Sequence, residues 1–251
     1  MTQSLPIPRL DARALDAGAA SELAALRRGV EEAGFLVLHA TAIPRTQVEA
    51  LIAAYRDFFT RPEAEKRAVD MARTGSNRGW GAPRSERVDP AANPDYKEVF
   101  DCGYELPPDD PWRARGLSVY ADNLWPEGLP AFRATVERYQ RDALAVSLRL
   151  LRAIAQALGA DPEYFADKFT RPMALLRANY YPPRPEGAGA RDFGIGAHTD
   201  YGCVTLLATD VKRGPVMGWR CRTRACAGQG RSARDRAGRA ETRPVSDRAQ
   251  R

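Results

Sequence analysis

LRANYYPPRPEGAGARDFGIGAHTDYGCVTLL, residues 176–207, decides how this 251-residue chain is read. Its start belongs to a run, MALLRANYY (173–181), whose composition predicts a strand, and Pro182 and Pro183 end it. EGAGARDFGIG (186–196) is Gly-rich and predicts a loop. AHTDYGCVTLLAT (197–209) alternates and is rich in Val, Thr and Leu, so strands are expected over about 197–208. On a strand, side chains at i and i+2 share a face. The imidazole of His198 and the carboxylate of Asp200 would then converge. Such a pair is two thirds of the two-His-one-carboxylate triad that holds Fe(II) and leaves positions open. The same spacing equally suits an ordinary hydrogen-bonded His–Asp pair.

Upstream, helical periods alternate with short apolar runs. Residues 15–33 (LDAGAASELAALRRGVEEA) have helical spacing, with Gly34 as a stop. FLVLHA (35–40) predicts a buried strand. QVEALIAAYRDFF (47–59) is again helical, 76–92 reads as a loop, and KEVFDCGY (97–104) predicts a second strand. The longest helix is expected between Pro130 and Gly159, followed by a short one in DPEYFADKF (161–169). The texture is mixed α and β first, and all-β after Pro172.

The net charge of +6 is unevenly spread. Residues 211–251 hold twelve basic and three acidic side chains, a net of +9, and the preceding 210 residues carry −3. After Trp219 the strongly apolar residues dwindle to Val245 and two cysteines, so this Arg-rich stretch predicts disorder. Its charge suits nonspecific anion binding, but no nucleic-acid motif or aromatic interleaving accompanies it, so no specific nucleic-acid partner is expected. No apolar run approaches the roughly 18 residues of a membrane span, and the first residues lack a secretory pattern. Four cysteines (102, 203, 221, 226) at spacings unlike a zinc site or a disulfide scaffold fit a reducing, cytoplasmic setting.

Several segments together resemble one family. LRANYYPP (176–183) and GAHTDYGCVTLL (196–207) look like the core of the isopenicillin N synthase-like family of iron- and 2-oxoglutarate-dependent oxygenases. IPRLD (7–11), EEAGFLVLHA (31–40), FFTRPEAEKR (58–67), RGW (78–80) and PDYKEVFDCG (94–103) resemble its N-terminal region in order and spacing. The likeness covers about residues 5–210.

The resemblance implies an α+β fold: a mixed helical N-terminal region and an incomplete double-stranded β-helix, or jelly-roll. It divides the chain into an N-terminal oxygenase region (1–110), a helical segment (111–170), the first part of the jelly-roll (171–210) and the Arg-rich tail (211–251). It makes His198 and Asp200 the first two iron ligands, and Asn179 and Tyr181 the positions that contact 2-oxoglutarate. Arg177, two residues before Asn179, would face the same site or be a salt-bridged surface residue; Tyr181 has a core-aromatic alternative. The implied chemistry oxidises a small-molecule substrate with dioxygen while 2-oxoglutarate loses carbon dioxide to give succinate. Some relatives use ascorbate or no oxoacid, and some form ethylene from 2-oxoglutarate. Neither the substrate nor the oligomeric state follows from the sequence.

The sequence departs from the family pattern after about residue 210. The family has a second ligand His some fifty or more residues beyond HxD, and an Arg-x-Ser shortly after it. The two histidines here are His39 and His198, and no arginine of the tail is followed by Ser two places on. His39 falls on the first strand and is expected to be structural. The Arg/Ala/Gly-rich composition of the tail suits a GC-rich region read in another frame. The expectation is an oxygenase by descent, truncated or frameshifted and inactive as written. The alternative is a non-catalytic remnant or interaction protein with an anion-binding tail.

Overall fold

The computed structural model describes residues 7–183, 186–196, 198, 200 and 202–209, and the backbone of Gly218–Arg220. Two small sheets and one long helix organise them. β1 (Arg9–Asp11) runs parallel to β2 (Phe35–His39), which pairs antiparallel with β6 (Gly218–Arg220). β3 (Gly79–Gly81), β4 (Glu98–Gly103) and β5 (Leu175–Tyr180) form an antiparallel sheet in that order. The class is α+β, as expected.

The helical expectations hold with two departures. The single helix expected over 15–33 is instead α1 (Ala12–Asp16), α2 (Ala20–Arg28) and a π turn, Gly29–Ala33. Asp11 caps α1, its carboxylate accepting from the N–H groups of Arg13 and Ala14. Gly18, at φ +76°, then turns the chain in the left-handed region before α2 begins. α3 (Arg45–Phe59) and α5 (Pro130–Ala157) follow the apolar periods of their sequences, and the short α4 (Glu63–Lys66) comes between them. The short helix expected in 161–169 is reduced to a 3-10 turn, Asp167–Phe169.

β3 lies inside the stretch expected to be loop. Two glycines flank Trp80, so local propensity argues against a strand; the strand forms because Trp80 is fully buried. The tail also departs from expectation over three residues, Gly218–Arg220, whose backbone pairs with Val37, Leu36 and Phe35. The remainder of 211–251 lies outside the described residues. Among the described residues, no helix is long and apolar enough to cross a membrane.

β4 is buried along its whole length, and its two faces have different chemistry. Phe100 and Cys102 point at α3 and α5, where Tyr55, Phe58, Phe59 and Phe132 close an aromatic cluster. Tyr180 of β5 stacks on Phe59 from the same side, with centroids 5.3 Å apart. Glu98 shares this face, and its Oε2 accepts from Lys66 Nζ at 2.6 Å and from Trp80 Nε1 at 2.7 Å. Three segments that carry the family resemblance, 58–67, 78–80 and 94–103, therefore meet at one carboxylate. The opposite face of β4 carries Val99 and Asp101, in register with Asn179 and Arg177. That face leads to the candidate site.

Candidate metal centre

The site face begins with charge. Arg177 donates from Nε and Nη2 to the two oxygens of Asp101, at 2.8 and 2.7 Å, and from Nη1 to Glu86 at 3.1 Å. Lys97, on the same side of the chain, reaches Glu86 at 2.9 Å and Asp95 at 3.2 Å. Asp95 and Lys97 are almost wholly buried, and Asp101 entirely so. Burial pushes the Asp101 carboxyl above its ordinary range, although the guanidinium pulls it back. Burial acts upward on Glu86 too, but hydrogen bonds and charge from Lys97 and Arg177 outweigh it and leave that carboxyl lowered. Arg177 is held charged, its own burial outweighed by Asp101 and Glu86.

This cluster meets the Gly-rich segment. Backbone bonds run from Asn93 N–H to the Arg191 carbonyl at 2.9 Å and from Tyr96 N–H to the Phe193 carbonyl at 3.1 Å. The Asn93 side-chain amide donates to Asp192 at 2.9 Å, and the Gly196 N–H donates to Asp95 Oδ1 at 3.2 Å. Gly194 packs so tightly beneath Tyr181 that a Cβ there would lie 2.6 Å from its ring. Tyr181 itself is half-exposed, with its phenol raised chiefly by burial. Asn179 is exposed.

His198 and Asp200 come together as the spacing suggests, though not on a strand. The described residues of 197–208 are irregular and bent backbone without ladder pairing, apart from a bridge residue at Leu207. The difference is physical: strand character needs a pairing neighbour, and alternation in a sequence cannot supply one. His198 Nδ1 lies 2.9 Å from the Gly196 carbonyl, which can only accept, so Nδ1 carries the proton. Nε2 then faces Asp200 Oδ1 at 3.1 Å. Two cis ligands each about 2.1 Å from a first-row divalent ion are about 3 Å apart. The pair thus fits two adjacent coordination positions, with the imidazole tautomer set by its own backbone. Both side chains keep about a third or more of their surface open.

Among the described residues, no third His, Cys, Asp or Glu joins them as a metal-holding group. His39 ends β2, exposed, with Nδ1 3.9 Å from Asp11 Oδ2. Cys203 is partly buried, and Cys221 and Cys226 lie outside the described residues.

Sequence reasoning missed Asp95, Lys97, Glu98 and Glu86. The signal was present: a Lys–Glu pair at the start of a buried strand sends one charge to each face, and both must find buried partners.

Comparison with known proteins finds oxygenases. Residues 6–128 match the model of the non-haem dioxygenase in morphine synthesis N-terminal family. A 2-oxoglutarate-Fe(II) type oxidoreductase of Emericella nidulans is 33% identical over 190 residues, 74% of this chain and 54% of that protein. A homoarginine-6-hydroxylase of Glycine max is 30% identical over 200 residues, 78% of this chain and 60% of that protein. A full-length Neurospora crassa protein, solved in complex with alpha-KG, superposes with a TM-score of 0.67 at 28% identity, covering 84% of this chain and 66% of that one. The chain thus spans somewhat more than half the length of these curated relatives. With this arrangement of residues and these matches, the chain belongs to the isopenicillin N synthase-like family of 2-oxoglutarate- and Fe(II)-dependent oxygenases.

Proposed function

We propose that the chain derives from an Fe(II)/2-oxoglutarate oxygenase that oxidises a small molecule with dioxygen. The observation that carries this is the His198–Asp200 pair, 3.1 Å apart with Nδ1 turned to a carbonyl. His198 Nε2 and Asp200 Oδ1 would hold Fe(II), which when bound supplies the redox change and gathers oxoacid and dioxygen. Asn179 and Tyr181 are the proposed contacts to 2-oxoglutarate, or to ascorbate in its place. Tyr181 offers a phenol hydroxyl at the edge of the Gly-rich segment. Arg177 stands behind them: with Asp101 and Glu86 on its guanidinium, it stiffens the strand that presents Asn179.

The proposed organisation is an N-terminal oxygenase region (1–110), a helical segment (111–170), the first part of an incomplete jelly-roll (171–210) and an Arg-rich tail (211–251), in a cytoplasmic protein. Two protein donors hold iron more weakly than the family's three. The 251 residues contain neither a second HxD-distal His nor an Arg-x-Ser, so turnover by this polypeptide is proposed to be absent or slight. Succinate release from 2-oxoglutarate with Fe(II) measures it, and turnover matching an intact relative would overturn that part.

A second reading is a non-catalytic remnant that binds anions through its tail; the lack of a third donor among the described residues favours it. Metal titration separates the two. Binding of one Co(II) per chain, lost in His198→Ala, supports the oxygenase site. Absence of that binding, with salt-sensitive binding to DNA, supports the remnant.

A further inference from the structure

We propose that Asp95 is a positioning residue for the His198–Asp200 pair, acting through the backbone of Gly196; the inference deepens the oxygenase reading and rests on it for the metal. Asp95 lies 101 residues before Gly196 yet accepts its N–H at 3.2 Å. Gly196 in turn offers its carbonyl to His198 Nδ1 at 2.9 Å. One residue thus connects a buried carboxylate on one side to the imidazole on the other. The carboxylate is itself fixed. Its second oxygen accepts from Lys97 Nζ, and its backbone N–H and carbonyl are bonded to Glu86 and Arg84 at 2.9 and 2.8 Å. At 1% exposure it has no competing water.

A group that orients a metal ligand decides how much ordering the metal itself must impose. His198 follows a Gly-rich segment, whose backbone loses more freedom on ordering than other sequences do. Without Asp95, the Gly196 N–H loses its acceptor, and the carbonyl that sets the imidazole tautomer is free to turn.

The test uses the full chain and two readouts. In Asp95→Ala, amide exchange across residues 191–200 should quicken about tenfold or more, the size expected for losing one buried acceptor. Exchange in β2 and α5 should stay as in the parent. Because the buried Lys97 would keep only Glu86 as its partner, the double variant Asp95→Ala/Lys97→Met is made alongside; it removes that buried charge and should show the same local loss. Asp95→Asn, which keeps an acceptor oxygen, should return exchange to within about threefold of the parent. The second readout is the Co(II) spectrum, with the dissociation constant rising about tenfold in Asp95→Ala and largely restored in Asp95→Asn. Unchanged exchange across 191–200 in the double variant would overturn the proposal. Co(II) binding indifferent to His198→Ala would instead overturn the metal reading, while the exchange measurement still decides whether Asp95 holds the segment.

Discussion

Arg177 and Asp101 face each other across the β4–β5 ladder as register partners and are joined by two parallel hydrogen bonds of 2.8 and 2.7 Å. The fork-to-carboxylate geometry makes the pair directional as well as charged. It holds together two strands that the sequence separates by the whole of α5.

Arg177→Met should lower stability by about 3 kcal/mol, because it leaves the fully buried Asp101 carboxyl without its partner. Arg177→Lys should recover part of that loss, since an ammonium supplies charge but not the fork. Urea unfolding of the three proteins checks the order, and a Lys variant as stable as the parent would contradict the bidentate account.

The Lys66–Glu98–Trp80 junction makes a second prediction. Lys66→Met should cost about 3–5 kcal/mol by stranding Glu98 in the aromatic core. The double variant Lys66→Met/Glu98→Met should regain most of it, leaving about 1–2 kcal/mol for the Trp80 indole N–H that no longer has an acceptor. A double-mutant cycle in urea measures the coupling, and additive losses would show that the junction is not cooperative.

Alkaline pH should destabilise the fold. Burial pushes the Cys102 thiol from 9.0 up to about 12, and pushes the Tyr55 phenol, 3.7 Å away, well above its ordinary 10.0. Unfolded, both groups release protons near their ordinary values; folded, both keep them. The folded state binds more protons there, so stability is full below about pH 9 and declines as pH rises toward 12. Each withheld proton adds about 1.4 kcal/mol per pH unit to the slope. Cys102→Ala should flatten the profile of unfolding free energy against pH between 9 and 11.

The same burial should make Cys102 inert to alkylation. Iodoacetamide at pH 8 should modify Cys102 at a rate set by unfolding, and mass spectrometry of the labelled peptide shows it. Rapid labelling of the native protein would mean that the β4 face is not closed.

Much of this fold was legible because its periods are local. α3, α5, β2, β4 and β5 follow apolar spacing that any window of the sequence shows. β3 was not, because Gly-Trp-Gly becomes a strand through the burial of Trp80 against residues far along the chain. The site divides in the same way. His198 and Asp200 are two residues apart, so their meeting is a matter of local backbone. Asp95 reaches the Gly196 N–H across 101 residues and Glu86 reaches Arg177 across 91, and no periodicity reports a contact at that distance.

That separation bears on the order of folding. The bonds that dock the Gly-rich segment span 101 residues from Asp95 to Gly196, and those of Arg177 span 76 to Asp101 and 91 to Glu86. Loop closure of that length is entropically costly and slow, whereas α5 forms its own turns between near neighbours. On a ribosome the cluster around Asp95 emerges long before Gly196, and its carboxylates must wait, solvated, for a distant strand. Pulse-labelled exchange during refolding should find α5 protected first and residues 191–200 last. The His198–Asp200 pair would then report the completion of folding.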